Sequence, residues 1–335
     1  MSKIADIEAV ARAAVHAGGA ELRRRYHADD SEGTYTSCDV KAAADKATEE
    51  RMLPVIRQAF PDHAIFAEEA GEFEGTNPYR WIVDPLDGTN NFTAGLPTFA
   101  SAVSVRYDGD PVVAAIHQPV TDETYLVRRD EGVRYNGTTV TAESSVPVDA
   151  GTVAMIVGRE VPQNQDLAEQ ARAVQSTVET EVKRVCSSWA PVVHSGLFAR
   201  GRLQGVVQFH PDEEEQAVTE LLAAEADAAV RRDGALFVAA SDEATLDVLW
   251  GQPPRGSGGD VAGDASVYAP GSGNDDHGRG VRSRVWQGWD RKDHDDDGTR
   301  DGARRGVRRD GHRRRHGDGK RAVPCRAGRC RDDTA

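Results

Sequence analysis

A change of composition after Trp250 limits how much of this 335-residue chain can form a packed core. Residues 251–335 contain 17 Gly, 17 Arg and 14 Asp, and they contain no Glu, Leu, Ile, Met or Phe. Such a segment cannot bury enough apolar surface to offset the entropy lost when its backbone is ordered. We therefore expect the folded body to end near Trp250 and residues 251–335 to be a disordered tail.

The origin of this tail is open between three interpretations. It is either a disordered extension of the native chain or the product of translating GC-rich DNA in a wrong reading frame, which would give the same residue types. A functional alternative is a basic arm for nucleic acid, since arginines outnumber aspartates there. Runs of charge are usually solvated coil, which favours the first two interpretations.

The body before the tail is acidic, because the whole chain has a net charge of −14 although the tail is weakly basic. Nucleic acids and anionic membranes both require clustered cations, so we expect neither as a partner of the body. The first 250 residues contain four lysines, and an excess of acidic charge is best tolerated in concentrated salt. We read this as a halophilic, cytoplasmic protein, and the alternative is an ordinary acidic protein that prefers arginine to lysine. The lysines are Lys3, Lys41, Lys46 and Lys183.

Hydrophobic periodicity predicts a body of mixed α and β structure in two parts. Residues 1–145 form an N-terminal α+β subdomain, residues 146–250 a C-terminal α/β subdomain, and residues 251–335 the tail. The predicted helices cover 3–26, 43–59, 165–177, 187–199, 214–227 and 242–250. The predicted strands cover 65–67, 81–83, 99–106, 112–117, 124–128, 153–157, 205–209 and 236–240.

Acidic residues follow the short apolar runs at 65–67 and 81–83. We expect the second run to be a buried strand that ends at Asp84, with Pro85 stopping the ladder and Asp87 facing the same space. Two converging carboxylates repel each other unless a cation lies between them. Hard cations such as Mg²⁺ take carboxylate oxygens together with substrate phosphate.

Gly88 and Thr89 come directly after these carboxylates and would open a helix or turn. Exposed backbone N–H groups at such a position bind phosphate well. The plain structural alternative is that Asp84 and Asp87 only cap a helix and shape a turn. Because Glu68, Asp84, Asp87 and Thr89 each stand at the end of an apolar run, we favour a combined metal and phosphate site.

The segments Ala67-Glu68-Glu69 and Asp84-Pro85-Leu86-Asp87-Gly88-Thr89-Asn90-Asn91-Phe92 resemble the signature of the inositol monophosphatase family. Members of that family are Mg²⁺-dependent, lithium-sensitive sugar phosphatases. The resemblance spans residues 4–250. It implies an α+β/α/β fold, a layered α-β-α-β-α sandwich of the sugar phosphatase type.

The resemblance also implies a role for each residue of the signature. Glu68, Asp84 and the carbonyl of Leu86 would bind one Mg²⁺, and Asp84 and Asp87 would bridge to a second. Glu69 would assist a third, looser cation or support the ligands from behind. Asp45 and Thr89 would orient the attacking water. The phosphate would lie on Gly88, Thr89 and Asp87.

One ligand of the family has no obvious counterpart here. The family carries an Asp in a late Trp-Asp motif, whereas this chain has Pro211-Asp212-Glu213-Glu214-Glu215. Alignment on Glu225-Ala226 places Glu215 at that position, and alignment on Pro211 places Asp212 there. We favour Glu215. The alternative is a solvated acidic helix start that is stabilised by the helix dipole.

The expected function is a cytoplasmic, Mg²⁺-dependent phosphomonoesterase with two or three Mg²⁺ per site, working as a homodimer in carbohydrate metabolism. Inositol 1-phosphate is the first substrate we expect, followed by fructose 1,6-bisphosphate and a nucleotide 3′-phosphate. The rival interpretation is a degenerate family member that binds metal or partner proteins without turnover.

Overall fold

The structure is a computed structural model, and it describes residues 4–36 and 40–251, apart from the side chains of residues 213 and 214. The expectations for the tail beyond Gly251 lie outside the described residues. No helix in the described ranges is both long and apolar enough to cross a membrane.

Seven α-helices and fifteen β-strands make up the described body. The helices are α1 (Ile4–His27), α2 (Ala43–Ala59), α3 (Thr89–Thr93), α4 (Gln165–Glu181), α5 (Pro191–Ala199), α6 (Glu213–Glu225) and α7 (Glu243–Trp250). The strands up to residue 140 are β1 (Gly33–Tyr35), β2 (Val40–Ala42), β3 (Ala64–Ala67), β4 (Gly71–Phe73), β5 (Tyr79–Asp87), β6 (Ala100–Tyr107), β7 (Asp110–Gln118), β8 (Glu123–Arg128), β9 (Gly132–Tyr135) and β10 (Thr138–Val140). The later strands are β11 (Thr152–Val157), β12 (Arg184–Cys186), β13 (Gly205–Phe209), β14 (Ala229–Asp233) and β15 (Leu236–Ala240).

Two large sheets and three helical layers alternate through the body. The eight-stranded sheet has the order β10-β9-β8-β7-β6-β5-β3-β4, and the five-stranded sheet has the order β12-β11-β13-β15-β14. Helices α1 and α2 cover one face of the larger sheet, α5 and α6 lie between the sheets, and α4 and α7 cover the outer face of the smaller one. The predicted layered sandwich is confirmed.

Each interface between layers has its own apolar core. Ile7 and Val15 of α1 pack with Met52 of α2 against the large sheet, because apolar residues at helical spacing fall on one helix face. Phe198 and Leu222 fill the space between the sheets, and α4 and α7 contribute a further cluster to the smaller sheet. Helix α5, between the sheets, contacts β5 and β6 of the larger sheet.

Near the end of β5, two sequence-based expectations about element limits are wrong. The strand over 81–83 does not end at Asp84, because β5 continues to Asp87 through an irregular register with β6. The helix expected over 187–199 begins only at Pro191. Proline at the first helical position lacks an N–H that the helix would leave unpaired anyway, so it marks the true start.

His117 makes the fold sensitive to acid. Burial, with a smaller contribution from His16, lowers the pKa of His117 to about 4, against about 6.5 in an unfolded chain. The unfolded state therefore binds more protons between these values, and stability that is present above pH 6.5 is lost as the pH falls toward 4.

We expect His117→Gln to remove this contribution, so the loss of unfolding free energy between pH 7 and pH 4.5 becomes smaller by up to about 3 kcal/mol. Urea titrations of wild type and variant across this range measure the difference. The exposed His27 at the end of α1 provides the control, because His27→Gln makes the same substitution at the surface and shows what the chemical change alone does. Parallel pH curves for wild type and His117→Gln would contradict this explanation.

Candidate active site

A cavity of about 270 Å³ opens at the end of β5, between the first turn of α5 and the loop that follows β11. We call it the site cavity. Its lining includes most of the residues that the sequence singled out. The acidic members are Glu68, Asp84, Asp87 and Glu215, and the others named by the sequence are Leu86, Gly88 and Thr89.

An irregularity in the register of β5 positions the carboxylates of Asp84 and Asp87. Asp84 lies opposite Ala102 of β6 and Asp87 lies opposite Ala100, so β5 uses one more residue than its partner over this stretch. A bulge of this kind re-aims side chains locally. The Asp84 carboxylate then accepts the N–H of Leu86 at 3.0 Å.

Helix α5 holds the carboxylate of Asp87. The N–H groups of Val192 and Val193 donate to the two oxygens of Asp87 at 3.2 and 3.0 Å. These donors belong to the first turn of the helix, where N–H groups have no partner within the helix and the dipole favours negative charge. Asp87 thereby joins the strand of one sheet to the helical layer between the sheets.

The environment of the site cavity disfavours the charged form of its acidic groups. Burial raises the pKa of Asp87 to about 7, and burial together with the Glu68 charge raises the pKa of Asp84 well above its usual range. Burial also raises the pKa of Glu215, with Asp212 as the next cause. Each group would regain its charge if a cation were bound nearby.

The pKa of Glu68, at the open side of the cavity, is also raised. Burial, then the charge of Asp45, raises its pKa to about 7. Its side chain keeps 39 % of its surface exposed, so solvent screens part of this effect. Glu68 directly follows β3, which pairs in parallel with β5, and this pairing brings it to the same end of the sheet as Asp84.

The donor set fits a hard divalent cation, since its side chains offer only carboxylate oxygens. Their arrangement fits only in part. Within residues 4–36 and 40–251, no three Asp, Glu, His or Cys side chains are grouped closely enough to hold an ion as they stand.

Asp45 and Thr89 form a pair beside the carboxylates. The hydroxyl of Thr89 lies 3.1 Å from Asp45 Oδ1 and 3.0 Å from the carbonyl oxygen of Leu86. The other oxygen of Asp45 accepts the N–H of Ala42 at 2.6 Å, which fixes the carboxylate at the start of α2. Burial raises the pKa of Asp45 to about 6.

Glu69 is placed apart from the site cavity and does not line it. Its carboxylate pairs with Lys41 Nζ at 2.6 Å, and its N–H donates to the buried carboxylate of Glu49 at 2.8 Å. Glu49 was missed by the sequence reasoning. Its position four residues after Asp45, on the same face of α2, is the signal that could have revealed it.

The structure separates the two candidates for the late ligand. Glu215, in the first turn of α6, lines the site cavity. Asp212 precedes that helix, and its carboxylate lies 2.7 Å from Nε of Arg159. Arg159 itself was not singled out by the sequence, because nothing local marks an arginine of the loop after β11 as part of a site.

Gly88 is required where β5 passes into α3. Its φ of +91° is disfavoured for any residue with a side chain. An added Cβ would lie 2.9 Å from the carbonyl oxygen of Thr98 and 3.1 Å from the Cβ of Ala190. The backbone can therefore approach both the site cavity and the residues before α5 only with glycine at this position.

The sequence profile of the inositol monophosphatase family matches residues 3–216 of the chain. The chain belongs to the inositol monophosphatase family. Its fold agrees with solved members. A suhB protein of Bartonella henselae is 21% identical, with a TM-score of 0.66, over 73% of this chain and 97% of that one. An inositol monophosphatase of Anabaena is 22% identical, with a TM-score of 0.63, over 74% and 96%.

Among curated family members, the Nus factor SuhB of Pasteurella multocida is 38% identical over 144 residues, which cover 42% of this chain and 54% of that protein. The same-named protein of Vibrio cholerae is 29% identical over 195 residues, covering 58% and 72%. The chain thus spans about half the length of the first curated relatives that it matches.

We expect Gly88→Ala to destabilise the protein more than Gly95→Ala does. Both glycines have positive φ, but a Cβ at Gly95 would meet no atom within 4 Å. The positive φ alone lowers the free energy of unfolding of an alanine variant by about 1–2 kcal/mol. At Gly88 the close contacts of the added Cβ lower it by about 1–3 kcal/mol more. Urea unfolding of both variants measures the difference. Equal destabilisation would show that the close approach at Gly88 is unimportant.

Proposed function

We propose that the protein is a Mg²⁺-dependent phosphomonoesterase that hydrolyses inositol 1-phosphate or a related sugar phosphate. The observation that carries this proposal is one cavity lined by four carboxylates and by the Gly88-Thr89 turn. Acidic groups with raised pKa values that converge in a cleft are typical of functional sites. Family membership agrees with the reaction class.

Glu68, Asp84, Asp87, Glu215 and the carbonyl of Leu86 are the groups that would hold the cations. Bound Mg²⁺ supplies Lewis-acid stabilisation of the phosphoryl oxygens and makes a water more acidic. The carboxylates would position these cations and would be stabilised in their charged form beside them. Val192 and Val193 keep the Asp87 carboxylate oriented at the cavity wall.

Asp45 and Thr89 would take up the proton that the attacking water loses. Thr89 Oγ1 accepts a proton from the water and passes its own proton to Asp45 Oδ1, 3.1 Å away. An Asp45 pKa of about 6 leaves the carboxylate ionised near pH 7.5, yet close enough to that pH for it to act as a base. The N–H of Ala42 holds this carboxylate in place.

The phosphate would lie on the backbone of Gly88 and Thr89, at the entrance of α3. Asn90, Gln175 and Ser188 line the same cavity and offer neutral hydrogen-bonding groups. Such groups suit the hydroxyls of an inositol or a sugar. Inositol 1-phosphate is therefore the first substrate to test, with fructose 1,6-bisphosphate and a nucleotide 3′-phosphate as alternatives.

We expect Mg²⁺-dependent release of phosphate from inositol 1-phosphate by the full chain, assayed also in molar KCl. Asp87→Asn should lower kcat/KM by about 100-fold or more, because it removes a negative charge that would hold a cation in the cavity. Asp110→Asn, at the exposed start of β7, is the matched control and should behave as wild type. Absence of turnover of all three candidate substrates by folded protein would exclude the proposal.

Glu215 and Asp212 should differ in their effect on metal binding. We expect Glu215→Gln to weaken Mg²⁺ binding by about tenfold or more, because it removes a charge that lines the cavity. Asp212→Asn should have a smaller effect, since its carboxylate pairs with Arg159. Calorimetric Mg²⁺ titrations of both variants measure this order, and the reverse order would assign Asp212 as the ligand.

A second candidate is a role without turnover, as a protein that binds metal or a partner. The curated relatives carry the name Nus factor SuhB, and the late Trp-Asp motif is missing. Under this alternative Mg²⁺ binds and stabilises the fold, but no substrate releases phosphate. Comparing Mg²⁺ binding with phosphate release in the same preparation separates the two functions.

A further inference from the structure

Trp189 is a large apolar residue that lines the site cavity, yet 52% of its surface is exposed. Among the described residues, Tyr35, Leu96 and Val146 are also large, apolar and exposed, but they do not line the cavity. Single apolar side chains on a protein surface are common and need no functional explanation. An open indole in the wall of the candidate active site is different, because a bound group that covered it would gain from its burial.

Trp189 lies beside the proposed phosphate site. It belongs to the segment between β12 and α5, and its carbonyl oxygen would be 3.1 Å from a Cβ added to Gly88. The backbone of this segment therefore runs against the turn formed by Gly88 and Thr89. A leaving group attached to a phosphate on that turn would start next to the residue that carries the indole.

Further apolar residues line the same cavity. They are Met155, Ile156 and Val157 of β11, Pro162 in the loop that follows β11, and Pro191 of α5. A polyol that filled the whole cavity would place some of its hydroxyls against these groups, and a hydroxyl buried without a hydrogen-bond partner is costly. The lining therefore suits a ligand that has an apolar part as well as a polar one.

We propose that Trp189 packs against an aromatic ring of the leaving group, so the enzyme prefers phosphate monoesters that carry such a ring close to the ester oxygen. The inference rests on the proposed function and names a residue that determines its specificity. Two aromatic rings attract each other in offset or edge-to-face arrangements, beyond the effect of the area that they bury. An aromatic ring also covers the indole without leaving a polar group unpaired.

A second copy of the chain is the other group that could cover this indole. Trp189 lines the cavity that the substrate has to enter, so a protein surface seated on it would obstruct that entry. A small ring that belongs to the substrate covers the indole only while the substrate is bound. We therefore assign the indole to the substrate.

The experiment compares 2-phenylethyl phosphate with ethyl phosphate, two alkyl esters that differ by one phenyl ring. In Trp189→Ala we expect the ratio of kcat/KM for the phenylethyl ester to that for the ethyl ester to fall about tenfold, the size of one aromatic contact. Trp189→Phe, which keeps a smaller ring, should give an intermediate ratio. An unchanged ratio in Trp189→Ala would overturn the proposal, and so would equal losses for both esters.

Tyr35→Ala is the matched control. Tyr35 is an aromatic residue that is 64% exposed, but it stands on β1 and does not line the cavity. The ratio for this variant should equal that of wild type. Replacing an exposed side chain changes stability little, so thermal unfolding should show that the variants of both residues are folded.

Calorimetric binding of 2-phenylethylphosphonate in the presence of Mg²⁺ separates a failure of this inference from a failure of the proposed function, because its carbon–phosphorus bond is not an ester. If no ester is turned over, tenfold weaker binding in Trp189→Ala would support the ring contact and exclude the phosphatase. Equal binding to wild type and Trp189→Ala would overturn the ring contact. Sedimentation in which Trp189→Ala dissociates an oligomer of the wild type would also overturn it, since a second copy would then cover the indole.

Discussion

The irregular register between Asp84 and Asp87 is the constraint on which the site depends. Because β5 has one more residue than β6 between these positions, both carboxylates line a single cavity although they are three residues apart. The same irregularity brings Asp87 to the first turn of α5. One distortion of a buried strand therefore couples the larger sheet to the helices between the sheets.

The electrostatics of the cavity oppose this arrangement. Burial, and after it neighbouring negative charges, raise the pKa values of Glu68, Asp84 and Asp87, so each of these groups is more easily protonated than a solvent-exposed carboxyl. The apolar layers on both sides of the larger sheet supply the rigidity that holds them together. Such an unfavourable cluster within a well-packed core is understandable if the cavity binds cations.

Local pattern predicted the presence of most long helices and strands better than it predicted the element limits near the site. The helix over 43–59 was predicted at its observed limits, because its apolar residues recur at helical spacing on one face. Strand β14 was missed, since an edge strand with the sequence Ala-Val-Arg-Arg-Asp buries few residues. The end of β5 was predicted wrongly because Pro85 was expected to stop the strand. The start of α5 was predicted wrongly because Pro191 was not used as the signal for it.

By itself the sequence determined the break after Trp250 and the group Asp84, Asp87, Gly88 and Thr89, because these depend on composition and on residues that are neighbours along the chain. Only the tertiary structure decided which distant groups face them. It brought Glu215 to the cavity, paired Asp212 with Arg159, and placed Glu49 behind Glu69. Contacts between residues far apart in the chain follow from how layers pack, and local pattern does not encode them.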